Sequence, residues 1–196
     1  MRVIAGRAKG RRLRTVRGYA VRPTADRTKE ALFSIVESRF ALVDARVLDL
    51  FAGSGALGIE ALSRGAARAV FVEQDAAAVR VLRANVELCD FAERARVLPM
   101  TVRRALLDLE DQGERFDVAF VDPPYRSGLL AETLHILGTT ALLSVNAWVV
   151  AERSSEEVPG ERYGPLRLTR TRRYGKTSVD LYCLANEVGD SGQRTE

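Results

Sequence analysis

Residues 47–58, VLDLFAGSGALG, leave this chain few folds to choose from. Val47, Leu48, Leu50 and Phe51 surround Asp49 in a short apolar run, the kind that forms a parallel strand buried on both faces. The run stops at a turn carrying Gly53, Gly55 and Gly58, and a helical spacing of Leu57, Ile59, Ala61 and Leu62 takes over. Strand, glycine turn and helix in that order open a nucleotide-binding βαβ unit. Gly53 and Gly55 allow the sharp turn and the close approach of a ligand, and Gly58 lets the helix lie against the strand. Glu73 ends the next apolar run, Ala69-Val70-Phe71-Val72, about twenty residues further on. A carboxylate there accepts hydrogen bonds from both ribose hydroxyls. The unit is built for a nucleoside.

The same pattern serves NAD and S-adenosylmethionine, and Asp49 separates the two. An NAD strand usually carries another apolar residue at that place. A carboxylate can face the ammonium of an amino-acid ligand, directly or through water, and S-adenosylmethionine has such an ammonium. The Tyr-x-x-x-Lys pair of many short-chain dehydrogenases is absent, which counts against hydride transfer. No Ser-His-Asp grouping or HExxH occurs, and His135 has no partner at metal spacing, so no metal is expected.

A second motif, Asp122-Pro123-Pro124-Tyr125, directly follows the apolar run at 116–121. Ligands of open α/β sheets sit outside the carboxyl ends of the strands, which places this tetrapeptide beside the cofactor's reactive end. An exocyclic amine of a nucleobase is a weak nucleophile because its lone pair is delocalised into the ring. The Asp122 carboxylate and the Pro123 carbonyl can hold both amine hydrogens and aim the nitrogen at an electrophilic methyl. Diproline fixes φ twice and offers no N–H to compete for those acceptors. Tyr125 can stack on the base, and Asp122 can take the proton lost afterwards.

Charge points to the same kind of partner. The net charge is only +4, yet Arg2, Arg7, Lys9, Arg11, Arg12, Arg14, Arg17, Arg22, Arg27 and Lys29 face only Asp26 and Glu30 before Ala31. A second block, Arg162, Arg167, Arg170, Arg172, Arg173 and Lys176, lies near the C-terminus. Two segregated basic blocks favour a polyanion, and arginine's planar fork suits phosphate. The 196 residues fit one domain that buries roughly 70% of its unfolded surface. No apolar run reaches the ~20 residues that span a bilayer, and no secretory signal is visible. Cys89 and Cys183 form no CxxC pair, which argues for a reducing cytoplasm.

The coarse pattern along the chain predicts a basic β-hairpin of residues 2–7 and 11–16 about Lys9-Gly10, forming an N-terminal extension over 1–22. A helix capped by Thr24 or Asp26 is expected to run to about Phe40. Beyond the first βαβ unit, helices are expected near 76–89, 102–109 and 128–138, with strands near 95–99, 116–121 and 146–151. Residues 163–184 read as two strands, and 186–196 as a disordered tail. The sum is a main domain over 23–185, a three-layer α/β sheet that is mostly parallel with an antiparallel edge.

These motifs carry a resemblance. LDLFAGSGALGIEAL and DPPY are similar to the class I S-adenosylmethionine-dependent methyltransferases that modify exocyclic amines. RVIAG-x-x-KGRRL, RPT-x-D-R-x-KEALF and YGKTSVDLY narrow it: over residues 2–184 the chain resembles the bacterial small-subunit ribosomal RNA guanine-N2 methyltransferase family, the RsmD type. The resemblance implies a Rossmann-like methyltransferase core with a seven-stranded sheet and an N-terminal hairpin. It implies S-adenosyl-L-methionine as cofactor and a guanine of 16S rRNA, presented by a 30S particle or assembly intermediate, as substrate. A monomer with no membrane partner is expected.

By position, Asp49, Phe51, Gly53, Ser54 and Gly55 would line the methionine and ribose end of the cofactor, with Glu73 and Gln74 at the ribose. Asp122, Pro123, Pro124 and Tyr125 would meet the base. Relatives often place a small acid after the third strand to meet the adenine amine; this chain has Pro99-Met100-Thr101-Val102. Thr101 or a backbone carbonyl can do that work, with Met100 against the adenine ring. Arg7, Lys9, Arg11 and Arg12 are candidate RNA contacts. Arg22, Thr24, Lys176 and Thr177 are substrate-side candidates too, although a helix cap and a strand turn explain them equally well. Asn85 reads as a buried polar residue, and Trp148 as core.

Three functions fit: a methyltransferase for guanine N2 in small-subunit rRNA, a DNA or other RNA amino-methyltransferase, and a non-catalytic RNA-binding assembly factor. A sequence-specific DNA enzyme would be expected to carry a separate target-recognition domain, for which 196 residues leave no room. A binding-only protein would have no use for an intact DPPY.

Overall fold

The computed structural model describes residues 1–15 and 25–184. Arg22, Thr24, the expected boundary near residue 22 and the tail 186–196 lie outside the described residues. The helices are α1 (Ala25–Glu37), α2 (Ala56–Ser63), α3 (Ala76–Leu88), α4 (Val102–Asp111) and α5 (Leu129–Thr139). The strands are β1 (Arg46–Leu50), β2 (Arg68–Val72), β3 (Ala95–Leu98), β4 (Phe116–Val121), β5 (Leu143–Ser154), β6 (Arg162–Tyr163), β7 (Leu166–Tyr174) and β8 (Thr177–Leu184).

All eight strands join one sheet in the order β3-β2-β1-β4-β5-β8-β7-β6. It comprises the expected seven strands and a two-residue addition, β6, at the edge. Strands β1 to β5 are parallel, whereas β8 runs antiparallel to β5 and β7 antiparallel to β8. Alternation along β1 sends Val47 into a core with Phe33, Ile59, Leu82 and Phe120 beneath α1, α2 and α3. Leu48 and Leu50 enter the opposite core with Leu106, Leu109, Leu134 and Leu137 of α4 and α5. Both faces of the central strands are therefore covered, which explains their predominantly apolar sequence. After β1 the chain builds outward to β2 and β3, then returns to place β4 on the other side. The crevice at that reversal is where such sheets hold ligands.

Three expectations need correction. Strand β5 spans twelve residues and not the six near 146–151, because Glu152, Arg153 and Ser154 pair with Val179, Ser178 and Thr177. Their polarity hid the strand: Arg153 is 5% exposed and is held by Asp180, through Nε to Oδ2 at 2.6 Å. The N-terminal hairpin shrinks to one antiparallel bridge between Arg2 and Arg12. Val3 N–H bonds the Arg11 carbonyl at 3.0 Å, Gly10 N–H the Val3 carbonyl at 2.9 Å and Leu13 N–H the Met1 carbonyl at 3.1 Å, and the body of the protein takes further backbone donors. Ile4 and Ala5 N–H donate to the Glu60 carboxylate at 2.8 and 3.0 Å, and Ala8 N–H donates to Ser63 Oγ at 2.9 Å. Gly6, with φ +78°, lies so close that an added Cβ would stand 1.8 Å from the Ser63 carbonyl oxygen. Residues 1–15 form a bolted arm, with Val3, Ala8 and Leu13 buried. Helix α1 ends three residues before Phe40, in a turn where Phe40 N–H still bonds the Val36 carbonyl. Among the described residues, no helix is long and apolar enough to cross a membrane.

Candidate functional site

The site begins at the carboxyl ends of β1 and β2. Phe51 leaves β1 with φ +63°, a conformation disfavoured for a bulky residue, and the turn continues through Gly53 at +54° and Gly55 at +81°. Strain of this kind persists where surroundings over-determine it, commonly at ligand sites. Here Ala52 N–H bonds the Val72 carbonyl at 2.9 Å, and Gly53 N–H bonds Glu73 Oε2 at 2.8 Å. The other oxygen of Glu73 accepts from Asp75 N–H at 2.8 Å. Asp75 in turn caps α3, its Oδ1 accepting from Ala78 N–H at 2.7 Å.

Asp49 lies under this turn, 2% exposed, with Oδ2 accepting the Gly58 N–H at 2.8 Å. Burial pushes its carboxyl up to about 7; the Gly58 hydrogen bond opposes that shift and the Glu73 charge adds to it. A Cβ at Gly58 would stand 2.3 Å from the Phe71 ring and 3.1 Å from the Asp49 carboxylate. The third glycine is therefore a packing requirement of helix on strand.

Across the crevice, Asp122, Pro123, Pro124 and Tyr125 follow β4. The Ser127 hydroxyl donates to the Pro124 carbonyl at 2.6 Å and closes the turn. The Tyr125 hydroxyl meets Glu152 Oε1 and Thr177 Oγ1, both at 2.9 Å, which ties the motif to β5 and β8. Met100 and Thr101 come from the end of β3, and Thr101 Oγ1 caps α4 by accepting Arg104 N–H at 3.4 Å. Thr101 thus already has the structural work of a helix cap.

One cleft of about 720 Å³ joins these parts. Asp49, Phe51, Gly53, Ser54, Glu73, Gln74, Met100 and Thr101 line it, together with Asp122, Pro123, Pro124 and Tyr125. Gly55 is buried behind the wall. The basic candidates Arg7, Lys9, Arg11, Arg12 and Lys176 do not line the cleft. Arg7, Lys9 and Arg12 are exposed on the arm, while Arg11 bonds Asp90 at 2.7 Å and the Leu88 carbonyl at the end of α3. Lys176 is exposed at the β7–β8 turn, with its neighbour Thr177 in the cleft wall. Met1 and Thr15 also line the cleft, so the arm borders it.

Sequence reasoning missed Glu152 and the buried carboxylate of Glu60. The first left a signal: Glu73, Asp122 and Glu152 each directly follow an apolar strand run. Glu60 left none. It lies on α2, fully buried, and binds Lys29 Nζ at 3.0 Å and Arg64 Nε at 2.9 Å besides the arm. Asn85 also does more than fill space. Its Oδ1 accepts Arg14 N–H at 2.8 Å, and its Nδ2 donates to the Arg14 and Ser54 carbonyls at 3.0 and 2.9 Å. It joins the arm to the glycine turn.

The profile of the conserved hypothetical protein 95 family matches residues 1–183. Ribosomal RNA small subunit methyltransferase D of Escherichia coli (strain K12) is 40% identical over 182 residues, covering 93% of this chain and 89% of that protein. The solved structure of a hypothetical protein of Thermus thermophilus superposes with a TM-score of 0.80 at 34% identity, over 92% of this chain and 98% of that one. An RNA methyltransferase from Salinibacter ruber, solved with S-adenosyl-L-homocysteine, shares the fold at 20% identity with a TM-score of 0.63, over 83% and 95% of the two chains. The architecture is the Rossmann-like class I methyltransferase fold.

Proposed function

The chain belongs to the conserved hypothetical protein 95 family, and from that premise we propose that it methylates the exocyclic N2 amine of a guanine in small-subunit ribosomal RNA. The observation that carries the reading is the meeting, in one cleft, of the glycine turn with its two carboxylates and the Asp122-Pro123-Pro124-Tyr125 motif. The E. coli relative, named as a small-subunit ribosomal RNA methyltransferase, supports the substrate.

The residues fit S-adenosylmethionine. A cleft of about 720 Å³ is of ordinary size for a small-molecule site. Among the described residues, and apart from its chain neighbours, nothing lies within 4 Å of where a Gly53 Cβ would stand, so a ligand can come close to that backbone. Glu73 stands at the end of β2, where its carboxylate can accept from ribose hydroxyls. Asp49 offers a carboxylate beneath the turn for an ammonium group. Bound there, S-adenosylmethionine would supply a methyl group on a sulfonium sulfur, with a neutral thioether as leaving group.

The remaining chemistry belongs to the chain. The Asp122 carboxylate and Pro123 carbonyl accept the two N2 hydrogens and turn the nitrogen lone pair toward the methyl. Bond formation makes N2 cationic, and Asp122 takes the proton it releases. Tyr125, anchored by Glu152 and Thr177, stacks on a base that has left its helix. The exposed Arg7, Lys9 and Arg12 meet RNA phosphates along the rim. The substrate is a partly assembled 30S particle and the enzyme acts as a monomer in the cytoplasm.

Tritiated S-adenosylmethionine offered with unmodified 30S particles, 16S rRNA and duplex DNA tests this. The expected product is N2-methylguanosine from the ribosomal samples. Asp122→Ala should lower the rate by roughly a hundredfold or more while RNA still binds. Label recovered as N6-methyladenine in DNA, or an unchanged rate in Asp122→Ala, would refute the substrate or the role of Asp122 respectively.

A further inference from the structure

We propose that Glu152 forms, with Tyr125, a subsite for the Watson–Crick edge of the target base, its carboxylate accepting the guanine N1–H. This deepens the function above and rests on it. Asp122 and Pro123 grip an amine, and adenine, cytosine and guanine all carry one. Choice among them must come from a neighbouring group that reads the ring nitrogen beside the amine.

The fold puts an acid there. Val121 of β4 pairs with Ala151 of β5, so Asp122 and Glu152 are the next residues on adjacent parallel strands, roughly 5 Å apart in backbone terms. Both line the cleft. The other cleft carboxylates have different stations. Asp49 and Glu73 lie at the glycine turn, Asp75 caps α3, and Glu132 faces Arg103 at 3.6 Å. Glu152 is the carboxylate on the base side, next to Asp122. Its Oε1 accepts the Tyr125 hydroxyl at 2.9 Å, so ring and carboxylate are fixed relative to each other. A base stacked on that ring therefore brings its edge alongside Glu152.

The chemistry selects guanine. Its edge presents the N2 amine and then N1–H, a row of donors met by Asp122, the Pro123 carbonyl and Glu152 in turn. Adenine N1 and cytosine N3 present a lone pair at the corresponding place, and a carboxylate repels it. Sites built to hydrogen-bond a donor reject analogues lacking it far better than sites that sense shape alone.

The test uses 16S rRNA in which the mapped target guanosine is replaced by 2-aminopurine, which keeps the C2 amine but has a lone pair at N1. Single-turnover methylation of both RNAs is compared for the parent and for Glu152→Gln, whose amide can donate to that lone pair. The parent should favour guanine by roughly a hundredfold or more, and Glu152→Gln should shrink this ratio at least about tenfold. Binding of the two RNAs without cofactor should shift in the same order. Because the ratio is taken within one preparation, a smaller folded fraction cannot change it. If both rates fall together and the ratio stays at the parent value, Glu152 serves only to hold Tyr125 and the proposal is wrong. A parent enzyme that methylates no guanine overturns the underlying function, and this site with it.

Discussion

Glu60→Ala should be among the most damaging single changes outside the cleft. The Glu60 side chain is fully buried and Lys29 is 4% exposed, with Nζ 3.0 Å from Oε2. Removing one partner of a buried pair strands the other charge, which costs about 3–5 kcal/mol. Ile4 and Ala5 N–H lose their acceptor as well, at about 1–3 kcal/mol each if water cannot reach them. The vacated space admits some water, so the total expected is about 4–6 kcal/mol. For a chain of this size that lowers Tm by roughly 10–20 °C. The Arg11–Asp90 pair, on the same arm, has side chains 39% and 65% exposed. Asp90→Ala should cost less than about 1 kcal/mol. Urea unfolding of both variants at pH 7 makes the comparison. If Glu60→Ala loses no more than Asp90→Ala, the arm is not held by this carboxylate and the reasoning fails.

The raised carboxyl of Asp49 gives a pH dependence of known sign. Its folded value of about 7 stands above its ordinary 3.8, so its contribution to stability is fully present below about pH 4 and is lost as pH rises through 7. Asp49→Asn should therefore gain stability relative to the parent on going from pH 5 to pH 8, measured by urea unfolding; parallel profiles would refute it. The cofactor's ammonium needs the charged form, so S-adenosylmethionine affinity should rise from pH 6 to pH 8 in the parent and stay flat in Asp49→Asn by calorimetry. Replacing Arg7, Lys9 and Arg12 together with Gln should flatten the salt dependence of RNA binding by roughly two in log–log slope, with unfolding unchanged because all three are exposed; an unaltered slope would place the RNA elsewhere. Such point changes are cleaner than deleting the arm. Deletion would also disturb the cofactor side, because Asn85 would lose Arg14 while still bonded to Ser54 in the glycine turn.

What was readable in the chain was local. The apolar run before Gly53 and the acid at Glu73 announce themselves within a few residues, as does Asp122-Pro123-Pro124-Tyr125, because turn geometry and strand burial impose short-range rules. The cleft that gathers them follows from β2 and β4 flanking β1, where the strand order reverses. Glu60 was invisible because its partners are set by tertiary contact. Residues 4 and 5 lie more than fifty positions away, and nothing in GIEALS marks its carboxylate as inward. The last residues of β5 were obscured for a related reason. Arg153 looks like a surface residue until Asp180 supplies its counter-charge from β8. The N-terminal hairpin pairs over a shorter stretch than alternation predicts, because Glu60 and Ser63 of α2 take the Ile4, Ala5 and Ala8 N–H donors while Val3 and Leu13 N–H still bond across it.

The arm also imposes an order on synthesis. Its sockets on α2 and α3 lie 55 to 71 residues downstream of the segments they hold. At roughly 5–20 residues per second, translation leaves the arm without Glu60, Ser63 and Asn85 for several seconds. During that interval Arg2, Arg7, Lys9, Arg11, Arg12 and Arg14 emerge with no fold to anchor them, close to the ribosome's own RNA. Docking must wait for α2 and then α3, because Glu60, Ser63 and Asn85 are made only then.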